Sequence, residues 1–303
     1  MKLIKPKLLE QGDTIAIIAP SGAVDKDKVL SAQKYFEDKG YNVVFGKNLF
    51  GKKRYMSGAD FERLDDLHNA FANPDINAVF CARGGYGAIR LLPYIDFNII
   101  RDNPKIFCGY SDITALSLAF FKCTGLITYS SPMPQSDFAD DISLLTEKSF
   151  FNVLSRNFDI YSYSDIILPG EAKGLVWGGN LSTVVSVLAC DNLKLNVSNV
   201  NGFIPDEKFI FFTEDIGEPV YKIDRMLNQL ANIRQFKKNI AGIAFGEFTD
   251  TDNSEWLKDV LLEFAVKMNV PAYSGFKFTH GPEKQTIPIG VQATLNQKEL
   301  ILL

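Results

Sequence analysis

The segment Lys105-Ile-Phe-Cys-Gly-Tyr-Ser111-Asp-Ile-Thr-Ala-Leu116 decides the fold, because it places an apolar strand directly before a helix. The strand is predicted over Lys105–Tyr110 and the helix over Asp112–Lys122. Ser111 then occupies a sharp turn of the kind that exposes a nucleophilic hydroxyl. The usual G-x-S-x-G pattern is incomplete, since Ile113 takes its last position. The alternative is that Ser111 only caps the helix N-terminus.

Strands alternate with helices on both sides of this segment. The strands predicted in the first half are Asp13–Ala19, Tyr41–Phe45, Ile76–Ala82, Lys105–Tyr110 and Gly125–Ser130. The helices are Asp25–Lys39, a helix from a capping box at Ser57–Asp60 to Asn73-Pro74, and Asp112–Lys122. This alternation is typical of βαβ units and predicts an α/β fold with a mostly parallel sheet, which binds ligands at the carboxyl ends of its strands.

The pattern breaks at Asp159–Lys173, where we place a domain boundary. It separates an N-terminal domain of residues 1–160, which carries Ser111, from a C-terminal domain of residues 161–303. In the second domain, helices are predicted after Gly178-Gly179-Asn180 and over Pro219–Arg234 and Ser254–Met268. The strands are Lys208–Thr213, Ile240–Phe245 and a final hairpin of Gly290–Leu295 with Glu299–Leu303.

Composition excludes several classes of protein. The 303 residues are 46% hydrophobic and 22% charged, which is ordinary for a globular chain and too apolar for disorder. Lys and Arg number 32 and Asp and Glu 36, so the net charge of −4 argues against nucleic acid as a partner. No apolar run approaches the roughly 20 residues of a membrane span. Cys81, Cys108, Cys123 and Cys190 lack metal-site spacing and are predicted to be buried, reduced thiols of a cytoplasmic protein.

The scarcity of histidine limits the possible catalytic bases. The chain has two, His68 and His280, more than 200 positions apart, which leaves little room for a metal site. His68 lies mid-helix and is predicted at its surface, whereas His280 lies at the start of a loop, so His280 is the better base by elimination. Glu214, directly after the strand Lys208–Thr213, is the first candidate to orient it, with Asp215 and Glu218 as competitors.

A glycine-rich turn, Arg83-Gly84-Gly85-Tyr86-Gly87, follows another strand. Its glycines allow a ligand to approach the backbone, and its amides are free to bind an oxyanion. Arg83 is a candidate for binding a substrate carboxylate, the alternative being that it pairs with a surface acid. Asn180 is a second candidate for the terminal carboxylate. The turn fits neither phosphate-binding glycine pattern.

Five motifs in order are similar to those of the LD-carboxypeptidase family of serine peptidases, over about residues 13–295. They are Arg83-Gly-Gly-Tyr-Gly-Ala-Ile-Arg-Leu-Leu92, Gly109-Tyr-Ser-Asp-Ile-Thr-Ala-Leu116, Gly178-Gly-Asn-Leu181, Glu214-Asp-Ile-Gly-Glu-Pro-Val-Tyr-Lys-Ile-Asp-Arg-Met-Leu227, and His280-Gly281 with Pro288-Ile-Gly290. The family comprises muramoyltetrapeptide carboxypeptidases, which release terminal D-Ala from murein tetrapeptides in cell-wall recycling, and microcin C self-immunity peptidases. Ser130-Ser131-Pro132 departs from the His-Gly-Pro of many members, which puts the substrate preference in doubt.

The resemblance implies an N-terminal Rossmann-like parallel-sheet domain and a C-terminal α/β domain containing barrel-like strands. It makes Ser111 the nucleophile, His280 the base and Glu214 the residue that orients the base. It also implies an oxyanion hole from the amides of Gly85 and Asp112, a murein peptide substrate, and a homodimer. Such a triad needs no metal or organic cofactor.

Three alternatives stay open. The first is cleavage of an acyl-nucleotide antibiotic, with Trp177 stacking on the base, although Trp177 is also well placed to be a core residue. The second is a cysteine nucleophile, since Cys81 and Cys108 lie near strand ends. The third is a two-domain protein that binds a ligand without turnover.

Overall fold

The computed structural model describes residues 2–155, 160–188 and 202–303. Cys190 and the first residue of the predicted boundary, Asp159, lie outside them. The described residues form two compact units, one of residues 2–155 with 286–288 and one of residues 160–188, 202–285 and 289–303. The domain limits of 1–160 and 161–303 stay a prediction.

The strands are β1 Thr14–Ile18, β2 Asn42–Phe45, β3 Ala78–Cys81, β4 Ile106–Cys108, β5 Thr128–Ser130, β6 Ile160–Tyr161, β7 Asp165–Leu168, β8 Ala172–Asn180, β9 Phe209–Ile216, β10 Ile240–Thr249, β11 Ala272–Ser274, β12 Ile287–Ile289, β13 Gln292–Leu295 and β14 Leu300–Leu302. The helices are α1 Lys26–Asp38, α2 Asp60–Ala72, α3 Phe97–Asp102, α4 Thr114–Thr124, α5 Pro134–Asp137, α6 Leu144–Leu154, α7 Leu181–Leu188, α8 Val220–Ala231, α9 Arg234–Asn239 and α10 Ser254–Met268. None of the helices in the described ranges is long and apolar enough to cross a membrane.

The first unit contains the predicted parallel sheet. Its strand order is β12-β5-β4-β3-β1-β2, and the pairs from β2 to β5 are all parallel. Within β1 to β5 this is the 2-1-3-4-5 order of a doubly wound fold, in which the order of adding strands reverses between β1 and β3. The loops after these strands therefore lie at the end of the sheet where doubly wound proteins bind ligands. The Rossmann-like N-terminal domain is confirmed as a fold class.

The second unit contains an eight-stranded sheet that must curl. Its order is β6-β14-β13-β8-β9-β10-β11-β7, so β6 and β7 form opposite edges. A flat sheet would separate those edges by about 34 Å, seven spacings of about 4.8 Å. The chain from Tyr161 to Asp165 can span only about 14 Å. The sheet is accordingly a half-barrel, which confirms the predicted barrel-like strands.

Two predicted helix boundaries are wrong. The capping box at Ser57–Asp60 does not form, because the Ser57 hydroxyl donates to the carbonyl of Ala19; Ala59 precedes the helix, and its N–H donates to Glu62 Oε2 at 2.7 Å. The helix predicted over Pro219–Arg234 ends at Ala231, and a separate α9 begins at Arg234 after an extended Ile233.

Three strand predictions also need correction. β9 runs to Ile216 and β10 to Thr249, beyond the predicted ends, because their last residues pair with each other. The strand β8 was not predicted, because its Gly174, Gly178 and Gly179 hide the pattern of a strand. Gly174 and Gly178 are required where the backbones are closest: a Cβ on Gly174 would lie 2.7 Å from the carbonyl oxygen of Lys208, and one on Gly178 would lie 1.9 Å from that of Phe212.

Candidate active site

Ser111 lies in a strained turn between β4 and α4. Its φ is +62°, in the left-handed region that non-glycine residues rarely occupy, at a cost of about 1–3 kcal/mol. It opens a single 3-10 turn, and neither Tyr110 nor Ile113, the residues at the capping positions, makes a side-chain cap bond. A capping serine has an extended backbone instead. The capping interpretation of Ser111 is therefore wrong, and the strained geometry favours the elbow.

The glycine-rich turn after β3 lies against Ser111. A Cβ on Gly84 would stand 2.8 Å from the Ser111 Cβ and 3.0 Å from its Oγ. The turn is held from its other side by Gly22, whose N–H donates to the Gly84 carbonyl at 3.2 Å. Gly85 has a φ of +122°, which a side chain would disfavour. Only backbone fits beside the hydroxyl here, which is the arrangement that an oxyanion site of backbone amides requires.

The Asp112 carboxylate connects three loops at the carboxyl end of the first sheet. Asp112 is 7% exposed, and its Oδ2 accepts a hydrogen bond from Ser21 Oγ at 2.5 Å and another from the Ala88 N–H at 2.9 Å. Burial raises the pKa of this carboxyl, although the bonds from Ser21 and Ala88 oppose the shift. The loops after β1 and β3 are thus fixed to the residue that follows the candidate nucleophile.

A buried arginine that the sequence analysis missed holds the same loops. Arg63, on the inner face of α2, is 1% exposed and donates hydrogen bonds to the carbonyls of Pro20 and Gly87, the latter at 2.9 Å. Its charge is balanced by Asp60, 2.6 Å away. The available signal was its position in α2, four residues before Leu67, where an apolar residue would be expected.

Arg83 makes only backbone contacts in the described part of the chain. Its Nε donates to the Gly84 carbonyl and one terminal nitrogen donates to the Ala23 carbonyl, both at 3.2 Å. None of the described carboxylates lies within ion-pair distance of this guanidinium. Among the described residues, Arg83 therefore does not pair with a surface acid, which was the alternative.

The candidate base and its acid meet in the second unit. His280 Nδ1 lies 2.6 Å from Glu214 Oε2, and the two side chains are 12% and 5% exposed. Glu214 lies within β9, opposite Asn180 of β8, rather than after the strand as predicted. The segment before His280 is held against β10, where the Glu247 N–H donates to the Phe278 carbonyl at 3.0 Å. A carboxylate in this position fixes the imidazole orientation and stabilises its protonated form.

The competing acids have other partners. Asp215 accepts hydrogen bonds from the Asn180 amide at 2.8 Å and from the Ser182 N–H at 2.9 Å, so it fixes the start of α7. Glu218 pairs with Lys222 at 3.2 Å. Among the described residues, Glu214 bonds to the imidazole, whereas Asp215 and Glu218 bond to Asn180 and Lys222. The Asn180 carboxamide is committed within the protein, since its Oδ1 accepts from Thr183, and its predicted contact with substrate stays a prediction.

Trp177 is fully buried in β8, with 0% of its surface exposed. Its ring packs against Phe209 at 5.1 Å, Phe211 at 6.0 Å and Phe236 at 6.3 Å between ring centroids. Neither ring face is free for a nucleotide base, so the structure favours the core role of Trp177 over the predicted stacking.

The remaining candidate base and nucleophiles are structural. His68 is half-buried, burial lowers its pKa, and its Nε2 accepts a hydrogen bond from the Asp96 N–H at 3.0 Å. Cys81 and Cys108 are buried, which raises the pKa of the Cys81 thiol well above its usual value and that of Cys108 to about 12. Thiols that stay protonated are poor nucleophiles. Within the described ranges, no group of three or more His, Cys, Asp and Glu side chains could hold a metal ion.

The chain matches two models of one enzyme family. Residues 15–131 match the LD-carboxypeptidase N-terminal domain, and residues 173–295 match the C-terminal domain. A probable murein peptide carboxypeptidase of Bacillus subtilis is 37% identical over 97% of this chain and 92% of its own. The microcin C7 self-immunity protein of Escherichia coli is 29% identical over 95% and 92%. The crystal structure of a muramoyltetrapeptide carboxypeptidase from Oxalobacter formigenes has a TM-score of 0.84 and 29% identity, covering 95% of this chain and 97% of that chain.

Proposed function

Because the chain belongs to the LD-carboxypeptidase family of serine peptidases, we propose that it hydrolyses the bond between an L-centre and a terminal D-amino acid. The proposed substrate is a murein tetrapeptide, from which D-Ala is released during cell-wall recycling. Two relatives with murein peptide names, from Bacillus subtilis and Oxalobacter formigenes, support this substrate class.

In the proposed mechanism, Ser111 Oγ attacks the scissile carbonyl carbon while His280 takes the hydroxyl proton. Glu214 holds the imidazole through Nδ1 and stabilises the imidazolium that forms. The amides of Gly85 and Asp112 bind the oxyanion. His280 then protonates the departing amine of D-Ala, which leaves an ester on Ser111. Water activated by His280 hydrolyses this ester and regenerates the hydroxyl.

One observation carries the proposal: the 2.6 Å contact between His280 and Glu214 supplies an oriented base in a chain with two histidines. The other histidine accepts a backbone hydrogen bond on α2, so it is not available as a base in that arrangement. The strained backbone of Ser111 supports its role as the nucleophile, since such strain persists where function requires it.

The direct test is D-Ala release from L-Ala-γ-D-Glu-meso-diaminopimelate-D-Ala. We expect Ser111→Ala to lose at least about a thousandfold in kcat, because a triad serine cannot be replaced by its neighbours. Ser117→Ala is the matched control, since Ser117 is fully buried in α4 and its hydroxyl has no partner among the described residues. Undiminished release by Ser111→Ala would overturn the assignment.

The second candidate substrate is an acyl-nucleotide antibiotic, supported by the similarity to the microcin C7 self-immunity protein. The buried Trp177 argues against it, because no free ring face is available for a base. Comparing kcat/KM for the murein tetrapeptide and for an aminoacyl-sulfamoyl adenylate decides between them. We expect the tetrapeptide to be preferred by at least about tenfold.

We also propose that the enzyme acts in the cytoplasm, as its predicted reduced thiols indicate, and that it forms the homodimer that the family resemblance implies. Sedimentation equilibrium is expected to give twice the chain mass of 33.8 kDa. A monomer at micromolar concentration would contradict the homodimer.

A further inference from the structure

A cleft of about 530 Å³ opens in the first unit, and one of its lining residues, Arg83, directly precedes Gly84, which lies against Ser111. It lies at the carboxyl end of the parallel sheet, between the loops that follow β1, β2, β3 and β5. The side chains that line it include Asp25, Lys28, Phe50, Lys52, Arg83 and Gln135. This position, next to the reversal of strand order between β1 and β3, is where doubly wound sheets bind ligands.

Positive charge prevails in the lining. Among the described residues, Arg83 donates only to the backbone carbonyls of Gly84 and Ala23, and Lys52 has no carboxylate within 4 Å. Lys28 pairs with Asp140 at 3.3 Å, and the two side chains are 49% and 80% exposed. Water therefore screens the attraction between them strongly.

Asp25, the one acid among the described lining residues, already accepts hydrogen bonds. Asp25 caps α1, and its Oδ1 accepts hydrogen bonds from the N–H groups of Asp27 and Lys28 at 3.0 and 3.2 Å. Its charge is therefore compensated by the helix terminus rather than by the lysines or by Arg83. Among the described residues, Arg83 and Lys52 are therefore the cations of the lining that have no carboxylate within ion-pair distance.

Arg83 links the lining of the cleft to the candidate catalytic turn along the chain. Gly84 lies against Ser111 and accepts a hydrogen bond from the Gly22 N–H. The Arg83 side chain also packs close to Gly22, since a Cβ on Gly22 would lie 3.2 Å from Arg83 Nε. A volume of about 530 Å³ is several times that of one alanine residue. The cleft thus suits the larger part of a peptide, not a single departing alanine.

We propose that this cleft binds a carboxylate on the acyl side of the scissile bond, and that Arg83 is its main contact, assisted by Lys52. The inference rests on the proposed function and deepens it by assigning a subsite. In a murein tetrapeptide the γ-linkage leaves the α-carboxylate of D-Glu free, and diaminopimelate carries another carboxylate. An arginine fork matches such a group bidentately.

The test is a comparison of kcat/KM for three peptides and three variants. The peptides are L-Ala-γ-D-Glu-meso-diaminopimelate-D-Ala, the same peptide with D-isoglutamine in place of D-Glu, and one with L-lysine in place of diaminopimelate. For wild type, kcat/KM is expected to be at least about tenfold lower for one of the two altered peptides than for the unaltered peptide, mainly because KM is higher. In Arg83→Gln this ratio of kcat/KM values is expected to fall below about threefold. A cycle that combines the enzyme substitution with the peptide change measures the coupling between Arg83 and the carboxylate.

Lys52→Gln provides the second variant, because Lys52 makes no hydrogen bond in the described structure whose loss would disturb a loop, whereas Arg83 holds two carbonyls. Lys52→Gln is expected to reduce the ratio of kcat/KM values between the unaltered and the altered peptide by about half. Lys34→Gln is the matched control for charge, since Lys34 is 74% exposed and pairs with Asp38. The altered peptide that shows the coupling identifies which carboxylate is bound.

An equal ratio of these kcat/KM values in wild type, Arg83→Gln and Lys52→Gln would overturn the subsite. The same holds if wild type cleaves all three peptides equally well. Failure of wild type to release D-Ala from any of the peptides would contradict the proposed function itself, so the two failures are distinguishable. Should Arg83→Gln prove inactive, the result with Lys52→Gln decides.

Discussion

At the residue scale, the candidate chemistry depends on two local departures from ordinary geometry and burial. Ser111 has a φ of +62° although it is not glycine, and Glu214 is a carboxylate 5% exposed. Each is unfavourable alone, by backbone strain and by desolvation respectively. Glu214 is compensated by His280, and Ser111 is held by the buried contacts of its neighbour Asp112.

Glu214→Gln tests the orienting acid. An amide keeps a similar shape but cannot stabilise an imidazolium, so kcat for D-Ala release is expected to fall about 100- to 10,000-fold. The free energy of unfolding of Glu214→Gln, measured in urea, is expected to stay close to that of wild type, so the loss of kcat is not a loss of folding. Glu218→Gln is the matched control, because Glu218 pairs with Lys222 and not with the imidazole. Equal activity of the two variants would contradict the role of Glu214.

At the element scale, the loops after β1 and β3 are positioned by α2 as well as by the turn before α4. Arg63 of α2 donates to a carbonyl in each loop, and Asp60 balances its charge. Asp60 also pairs with Arg90, which follows the glycine-rich turn. A buried arginine with polar partners resists replacement, since removing one partner leaves the others unpaired.

The Asp60 pairs predict an acid dependence of stability. Hydrogen bonding to Arg90, assisted by Arg63, lowers the pKa of Asp60 to about 2. A lowered pKa means that the stabilisation is complete above the unfolded value of about 4 and is lost as the pH falls toward 2. The free energy of unfolding of wild type is expected to exceed that of Asp60→Asn by at most about 2 kcal/mol at pH 7, with a smaller difference at pH 3.

Urea unfolding of both proteins at the two pH values measures this difference. Arg90→Gln is expected to reproduce most of the effect, because Arg90 is the main cause of the shift. A difference that is the same at pH 7 and pH 3 would contradict the linkage.

At the scale of the whole molecule, local patterns predicted elements but not distant pairings. Ser254–Met268 matches its prediction end to end, because its helical period and its limits are local. The curl that brings β6 and β7 together, and the use of β12 in the first sheet, depend on contacts far apart in the chain. Such pairings leave no mark within a short window of sequence.

The candidate site also contains residues that local patterns predict and residues whose roles depend on distant contacts. Ser111, Glu214 and His280 could be proposed from their turns and from the count of histidines. Ser21 and Arg63 could not, because their importance comes from partners 91 and 43 residues away, respectively. Glu214 was expected outside its strand because β9 is extended by pairing with β8 and β10 rather than by its own apolar content.

Cys81 and Cys108 are buried as predicted, whereas Cys123 is half-buried; the two buried thiols predict that D-Ala release survives alkylation under native conditions. Burial raises the pKa values of Cys81, Cys108 and Cys123, to about 12 for Cys108 and about 11 for Cys123. Iodoacetamide at pH 7.5 is expected to leave D-Ala release within about twofold of its initial rate. Mass spectrometry should then find Cys81 and Cys108 unmodified. Inactivation that follows modification of Cys108 would support a cysteine nucleophile instead.

The central claim, that Ser111 is a nucleophile activated by His280, is tested most directly by labelling with a fluorophosphonate and mapping the adduct by peptide mass spectrometry. We predict one adduct, on Ser111, formed at least about a hundredfold more slowly in His280→Ala and absent in Ser111→Ala. An adduct on another residue, equal labelling of His280→Ala, or no labelling of wild type would contradict the account, and the last result would favour a protein that binds its ligand without turnover.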